Sequence, residues 1–187
     1  MENTILQQDI HIQQPQLLNI KFTEYTNTKG DLNKTFSLEE NEVIKKSNAF
    51  MYQGLAKVLH TSSLTQFDTY LNTLKSNQAI GLGIPIDNIE QANICLKGKE
   101  DISINTISRT KEFQEWPNSH ALCLFDYDPD DDMNENMKVN SADELRNLLI
   151  QILPELKDVE MIIRNGSSYG VKDKGGNCIS CKQSYHV

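Results

Sequence analysis

No run of 18 apolar residues occurs in the chain, so no transmembrane helix is expected. The first 16 residues lack the basic-then-apolar layout of a secretory signal. They are glutamine-rich and polar, with little to bury, and are expected to form a frayed leader. The cytoplasm is the expected compartment. Positive charge is in deficit: 18 Lys and Arg stand against 26 Asp and Glu, for a formal net charge of −8. A protein that coats nucleic acid draws its non-specific affinity from phosphate neutralisation and is usually basic, so this balance argues against that class. An enzyme with an acidic, metal-holding centre and only local basic groups remains open.

Cysteine is scarce. The four are Cys95, Cys123, Cys178 and Cys181. A disulfide framework is not expected of so few in this setting. Cys178 and Cys181 form one CxxC, half of what a four-ligand zinc site needs. Cys123 lies inside an apolar run, where a buried, reduced thiol behaves as a small hydrophobe. No internal repeat is visible, and 187 residues suffice for one sizeable core. A polar, loop-like stretch near residue 100 marks a possible subdomain boundary within 17–187.

What the chain does contain is alternation and capping. Leu18, Ile20 and Phe22 alternate with polar residues, the period-two signature of a half-buried strand. Residues 26–35 carry turn chemistry, and 37–60 show no clear periodicity. Ser63 and Gln66 fit a capping box ahead of a helix whose face carries Leu64, Phe67, Leu71 and Leu74. "QAIGLGIP" predicts a strand closed by Pro85. "ALCLF", residues 121–125, predicts a buried strand, and "VEMIIR", residues 159–164, another. Between them, Ser141 and Glu144 form a second capping box. Its helix bears Leu145, Leu148, Leu149, Ile152 and Leu153 before Pro154 stops it. The fold class is therefore α/β (α+β), and a strand–loop–helix–strand unit places acids at the C-terminal end of its first strand.

Those acids are the chemical signal. Asp126 and Asp128 are two apart, so in an extended strand both would face one side. Converging carboxylates repel unless a cation lies between them, and magnesium or manganese takes such oxygen ligands. The bland alternative is a solvated acidic loop continuing through Asp130, Asp131 and Asp132. Calcium in an EF-hand loop is excluded. Counted from Asp126 or Asp128, the required glycine is replaced by Asp131 or Met133, and the required glutamate by Met137 or Val139. Downstream, "IIRNGSSYG" offers Arg164, Ser167 and Ser168 to phosphate oxygens, and "SYH" sets Ser184 and His186 on one face of a strand.

Taken together, "LFDYD", a connecting helix, "RNGSSYG" and "SYH" resemble the archaeo-eukaryotic primase superfamily, particularly the primase-polymerases of phages, plasmids and other mobile elements. "TISRTKEFQEWPN" and "LKSNQAIGLGIP" upstream extend the resemblance from about residue 18 to the last residue. The resemblance implies an RRM-like catalytic core behind an N-terminal α/β subdomain, with Asp126 and Asp128 holding Mg2+ or Mn2+. His186, with Ser184 beside it, would contact the phosphates of an incoming nucleoside triphosphate. Arg164, Ser167 and Ser168 would be lesser nucleotide or strand contacts. The implied reaction is nucleotidyl transfer directed by a single-stranded DNA template. The family's third motif, an apolar residue followed by a metal-binding aspartate, does not occur after His186. The expectation is therefore a fragment of a larger replication protein, inactive alone, that lacks the helicase-like part which often follows. Two rivals give other outcomes. A phosphohydrolase of the haloacid-dehalogenase class would use Asp126 as nucleophile and Asp128 as general acid; a non-catalytic interaction protein would use neither.

Overall fold

In a computed structural model of the protein, residues 18–39, 42–47, 50–118, 120–130, 132–166, 169–173, 175–180 and 184–187 are described. The expected leader and Ser167, Ser168 and Cys181 lie outside them. The first half runs β1 (Ile20–Asn27), β2 (Lys34–Glu39), β3 (Glu42–Ser47), β4 (Gly54–Thr61), α1 (Leu64–Leu71), β5 (Gln78–Gly81) and β6 (Ile84–Pro85). Then come β7 (Gln91–Ile94), β8 (Thr106–Ile107) and β9 (Gln114–Glu115). The second half holds β10 (Asp126–Tyr127), α2 (Ala142–Ile152), β11 (Arg164–Asn165), β12 (Val171–Lys172), β13 (Cys178–Ser180) and β14 (Tyr185–His186). The protein is mixed α/β and rich in sheet, with two α-helices among the described residues. No helix among those residues is long and apolar enough to cross a membrane.

A five-stranded sheet, in the order β5-β1-β4-β7-β8, organises the first half. β1 pairs antiparallel with β4 from Ile20 opposite Thr61 to Asn27 opposite Gly54, and with β5 on its other edge. Successive side chains of β1 face opposite sides, and both sides are covered. Ile20 and Phe22 pack with Phe67 of α1 and with Leu122, Phe22 meeting the Phe67 ring edge-on at 4.9 Å. Tyr25 faces the other way, among Ala56, Ala92, Ile94 and Ile107. Burial of a Phe22-sized side chain contributes roughly 2–3 kcal/mol. The predicted alternation holds at the start of β1 and then changes sides, because Thr23, Tyr25 and Asn27 are the buried residues of its second half. Thr23 satisfies its hydroxyl by donating to the Gly83 carbonyl at 2.7 Å.

Both predicted N-caps form, with the return bond of each box going to the residue before the cap. The Ser63 hydroxyl accepts from Gln66 N–H at 3.1 Å, and the Gln66 side chain accepts from Ser62 N–H at 2.8 Å. The Ser141 hydroxyl accepts from Glu144 N–H at 3.1 Å, while Glu144 accepts from Asn140 N–H at 2.7 Å. "QAIGLGIP" is not one strand: β5 belongs to the main sheet, and β6 leaves it to pair with β9. Residue 100 lies in the connection between β7 and β8, which are parallel neighbours in that sheet, and passage to the second sheet falls between Ile107 and Asp126.

That second sheet has three strands in the order β10-β14-β11, both pairings antiparallel. β10 and β11, joined through α2, therefore run parallel with the last strand inserted between them, a split β-α-β arrangement. α2 covers one face, where Leu145, Leu148 and Leu149 pack on Val139, Ile163, Tyr127 and Tyr185.

The predicted strands here are corrected. Residues 121–125 form no regular strand; Leu122 is buried, whereas Ala121, Cys123 and Leu124 are exposed. The segment lies on an edge, and Phe125 alone joins the ladder by exchanging both backbone hydrogen bonds with Val187. Likewise 159–163 is irregular, and β11 starts only at Arg164. The acids thus do not stand beyond a buried parallel strand: Asp126 is itself part of an exposed antiparallel edge strand. Cys123 is an exposed thiol rather than a buried one. Cys178 is disulfide-bonded, where a disulfide framework was not expected, and so offers no thiolate to zinc.

Candidate functional site

Register brings three predicted residues into one row. His186 of β14 stands opposite Asp126 of β10 and opposite Arg164 of β11. Directly opposed residues share a face. The adjacent row, Tyr127, Tyr185 and Asn165, points the other way, and its tyrosines pack under α2. The Asp126–His186–Arg164 row therefore lies on the face opposite α2. His186 Nε2 is 3.5 Å from Asp126 Oδ1, and both side chains are about half exposed, at 49% and 62%. Asp128 follows one residue past the end of β10 and is exposed, as are Asp130 and Asp132.

Arg164 is engaged rather than offered to solvent. Its Nε and Nη2 donate to Asp68 Oδ1 at 2.9 and 2.6 Å, and Nη2 also reaches the Asp68 carbonyl at 2.9 Å and Asn72 Oδ1 at 3.1 Å. The expected phosphate contact is thus a latch between the second sheet and α1. Ser184 is buried one alternation before His186, and its carbonyl accepts from Gly166 N–H at 2.7 Å. A side chain at Gly166 would crowd Ser184, because a β-carbon would fall 2.0 Å from Ser184 Oγ and 3.0 Å from its Cβ, so Ser184 would have to shift.

Between the row and α1 opens a cleft of about 610 Å3. Phe67 and Leu71 of α1, Ile20 and Ile80 of the main sheet, and Leu122 and Ile162 opposite them make its walls apolar, with Arg164 and His186 among its lining. Apolar walls with a few convergent polar groups are the usual make-up of a small-molecule site.

The acidic loop after Asp128 is tied down from behind. Tyr127 Oη donates to the Met137 carbonyl at 3.1 Å and accepts from Val139 N–H at 2.9 Å. Lys138 neutralises Glu135 at 2.7 Å. Burial, and secondarily Tyr169, Glu144 and Tyr127, pushes the Tyr185 phenol above its ordinary value. Neither Tyr127 nor the latch partners Asp68 and Asn72 carried a sequence signal as functional. Tyr127 stands between two aspartates that dominate any reading of "DYD", and Asp68 is 96 residues from Arg164.

The donor set suits a hard cation only in part. Asp126 and Asp128 supply carboxylate oxygens, but among the described residues no group of three or more His, Cys, Asp or Glu gathers that could hold a metal. Magnesium commonly uses just one or two protein carboxylates, with waters and substrate phosphates completing its octahedron. The two carboxylates could hold an ion whose remaining positions are filled by water or a ligand's oxygens, and they do not form a closed protein cage. Compared with known proteins, the chain matches no family model, no curated protein and no solved structure.

Proposed function

We propose that this chain is the nucleotide-handling part of a metal-dependent, template-directed nucleotidyltransferase of the DNA primase/polymerase type. One observation carries the reading: Asp126 and His186, 60 residues apart, are cross-strand neighbours on the helix-free face of the second sheet. The order β10-β14-β11 around α2 also supports it, since an RRM-like sheet begins with a strand–helix–strand–strand course, here with the hairpin β12–β13 inserted before the central strand. Asp126 and Asp128 hold Mg2+ or Mn2+, which when bound neutralises charge on the phosphates during displacement. His186 donates a hydrogen bond to a triphosphate oxygen, and buried Ser184 with Gly166 fixes the strand that carries it. Arg164 serves by holding β11 against α1. The single-stranded DNA template and any helicase-like part belong to the same proposal; with a net charge of −8, strand contacts must come from local groups.

The test is Mn2+-dependent dATP binding, followed by thermal shift and calorimetry, with nucleotide incorporation measured on the complete protein. Asp126→Asn is expected to abolish the Mn2+-dependent shift, and His186→Ala to weaken dATP binding about tenfold, the loss of one charge-assisted contact. Equal dATP binding by wild type and Asp126→Asn would sink the reading. Trapping of beryllium fluoride on Asp126 would replace it by phosphohydrolysis.

A further inference from the structure

We infer that Tyr127 is a positioning residue for the Asp126–Asp128 pair, resting on the nucleotidyl-transfer reading above. Its ring is on the α2 face, opposite Asp126, packed with Val139 and Tyr185. From there its hydroxyl makes two hydrogen bonds, to the Met137 carbonyl and from Val139 N–H, 10 and 12 residues further along the chain. The acidic loop leaves β10 at Asp128 and returns at Val139, so this one hydroxyl closes it across its base. Val139 is itself buried, which fixes the far end of the closure in the core.

Pro129 is buried beside Asp128, and the remaining hydrogen bonds seen among the loop's described residues are short-range. Asn134 caps the turn 135–137 through Asn136 N–H at 2.9 Å, and Met133 N–H reaches the Asp130 carbonyl at 3.3 Å. These shape the loop internally and do not anchor it to the sheet. Asp128 needs such an anchor: Asp126 is fixed by the β10–β14 ladder, which ends at Tyr127 opposite Tyr185. Two carboxylates chelate one cation well only when their separation is set in advance, because ordering a slack loop on binding subtracts from affinity. The sequence thus places the holding group between the two groups it holds.

Tyr127→Phe deletes the hydroxyl and keeps the ring. Binding of Mn2+, alone and with dATP, is followed by the loss of the free-ion paramagnetic resonance signal, beside the melting temperature without metal. The expected result is an approximately fivefold weaker Mn2+ affinity, as the loss of one or two neutral hydrogen bonds allows, with the variant still cooperatively folded. A merely structural tyrosine would lower the melting temperature and leave the affinity of the folded protein unchanged. Affinity within about twofold of wild type therefore overturns the inference. Should Tyr127→Phe fail to fold, two glycines inserted between Asp132 and Met133 slacken the loop while retaining the hydroxyl. The same weakening is expected, and wild-type affinity in that variant also overturns the inference. Asp126→Asn separates the two levels. If it binds Mn2+ as wild type does, the nucleotidyl-transfer reading falls and takes this inference with it. If it abolishes binding while Tyr127→Phe changes nothing, only the role of Tyr127 falls.

Discussion

Removing the Asp68 carboxylate should loosen the second sheet from α1, and the size of the effect follows from the geometry. Asp68 Oδ1 accepts twice from Arg164, at 2.9 and 2.6 Å, with side chains 34% and 41% exposed for Arg164 and Asp68. Fully exposed pairs couple by about 0.2–1 kcal/mol, whereas hydrogen bonds to charged groups contribute about 1.5–3 kcal/mol. Two bonds to a single oxygen at partial exposure belong between these, at a coupling of about 1–1.5 kcal/mol. The assay is a double-mutant cycle of Asp68→Ala and Arg164→Met by urea denaturation. Each single variant should cost about 1.5 kcal/mol, which lowers the melting temperature by roughly 3–6 °C in a chain of this size. The coupling should largely survive 0.5 M salt, unlike that of a fully exposed pair. Single effects that add to within about 0.3 kcal/mol would refute the latch, since independent sites behave that way.

Three further outcomes follow from the packing. Gly166→Ala should destabilise by about 1–3 kcal/mol, because its new methyl meets Ser184 Oγ at 2.0 Å; Ser184→Ala should restore part of the loss, as seen by chemical denaturation. Leu122→Ala, in contact with Phe22 and Phe67 in the core, should cost about 2–4 kcal/mol and lower the thermal midpoint with no change in the far-ultraviolet spectrum. The Tyr70 phenol is pushed above its ordinary value of 10.0 by burial and by Glu24, whose carboxylate accepts its hydroxyl. The folded protein then holds that proton more tightly than the unfolded chain, so this contribution is complete below pH 10 and is lost as pH rises beyond it. Stability measured from pH 9 to 11 should fall less steeply in Tyr70→Phe than in wild type.

Where local chemistry decides structure, the sequence was legible. Both N-caps formed because Ser63 with Gln66, and Ser141 with Glu144, satisfy backbone donors within one turn, whatever packs around them. Strand β4 escaped notice because its buried positions are small: Gly54 and Ala56 face inward while Leu55 is exposed, so hydropathy does not alternate although burial does. At Gly54 no side chain fits, since a β-carbon would stand 2.4 Å from the Thr26 carbonyl oxygen. Among the described residues β2 and β3 pair with each other alone, so their hairpin lacks the larger sheet that imposes alternation. "ALCLF" misled for the opposite reason, being apolar without being interior: Leu122 enters the core, and Leu124 lies at the open cleft. In the candidate site, period-two spacing gave only which residues share a face of one strand, and the nearness of Asp126 to His186 was an expectation of the resemblance, now seen as a cross-strand pair. The diversion of Arg164 to Asp68 was not legible, since nothing in a sequence measures a contact across 96 residues.

The central place of β14 has a consequence for how the molecule comes together. β10 and β11 are not hydrogen-bonded neighbours, and each finds its sheet partner in β14, which follows both along the chain. A ribosome that has delivered α2 and β11 has produced two short ribbons with nothing to zip onto. Only insertion of β14 brings the aspartate and the imidazole into register, so this corner should gain amide-exchange protection during refolding later than the β1–β4 ladder and lose it sooner.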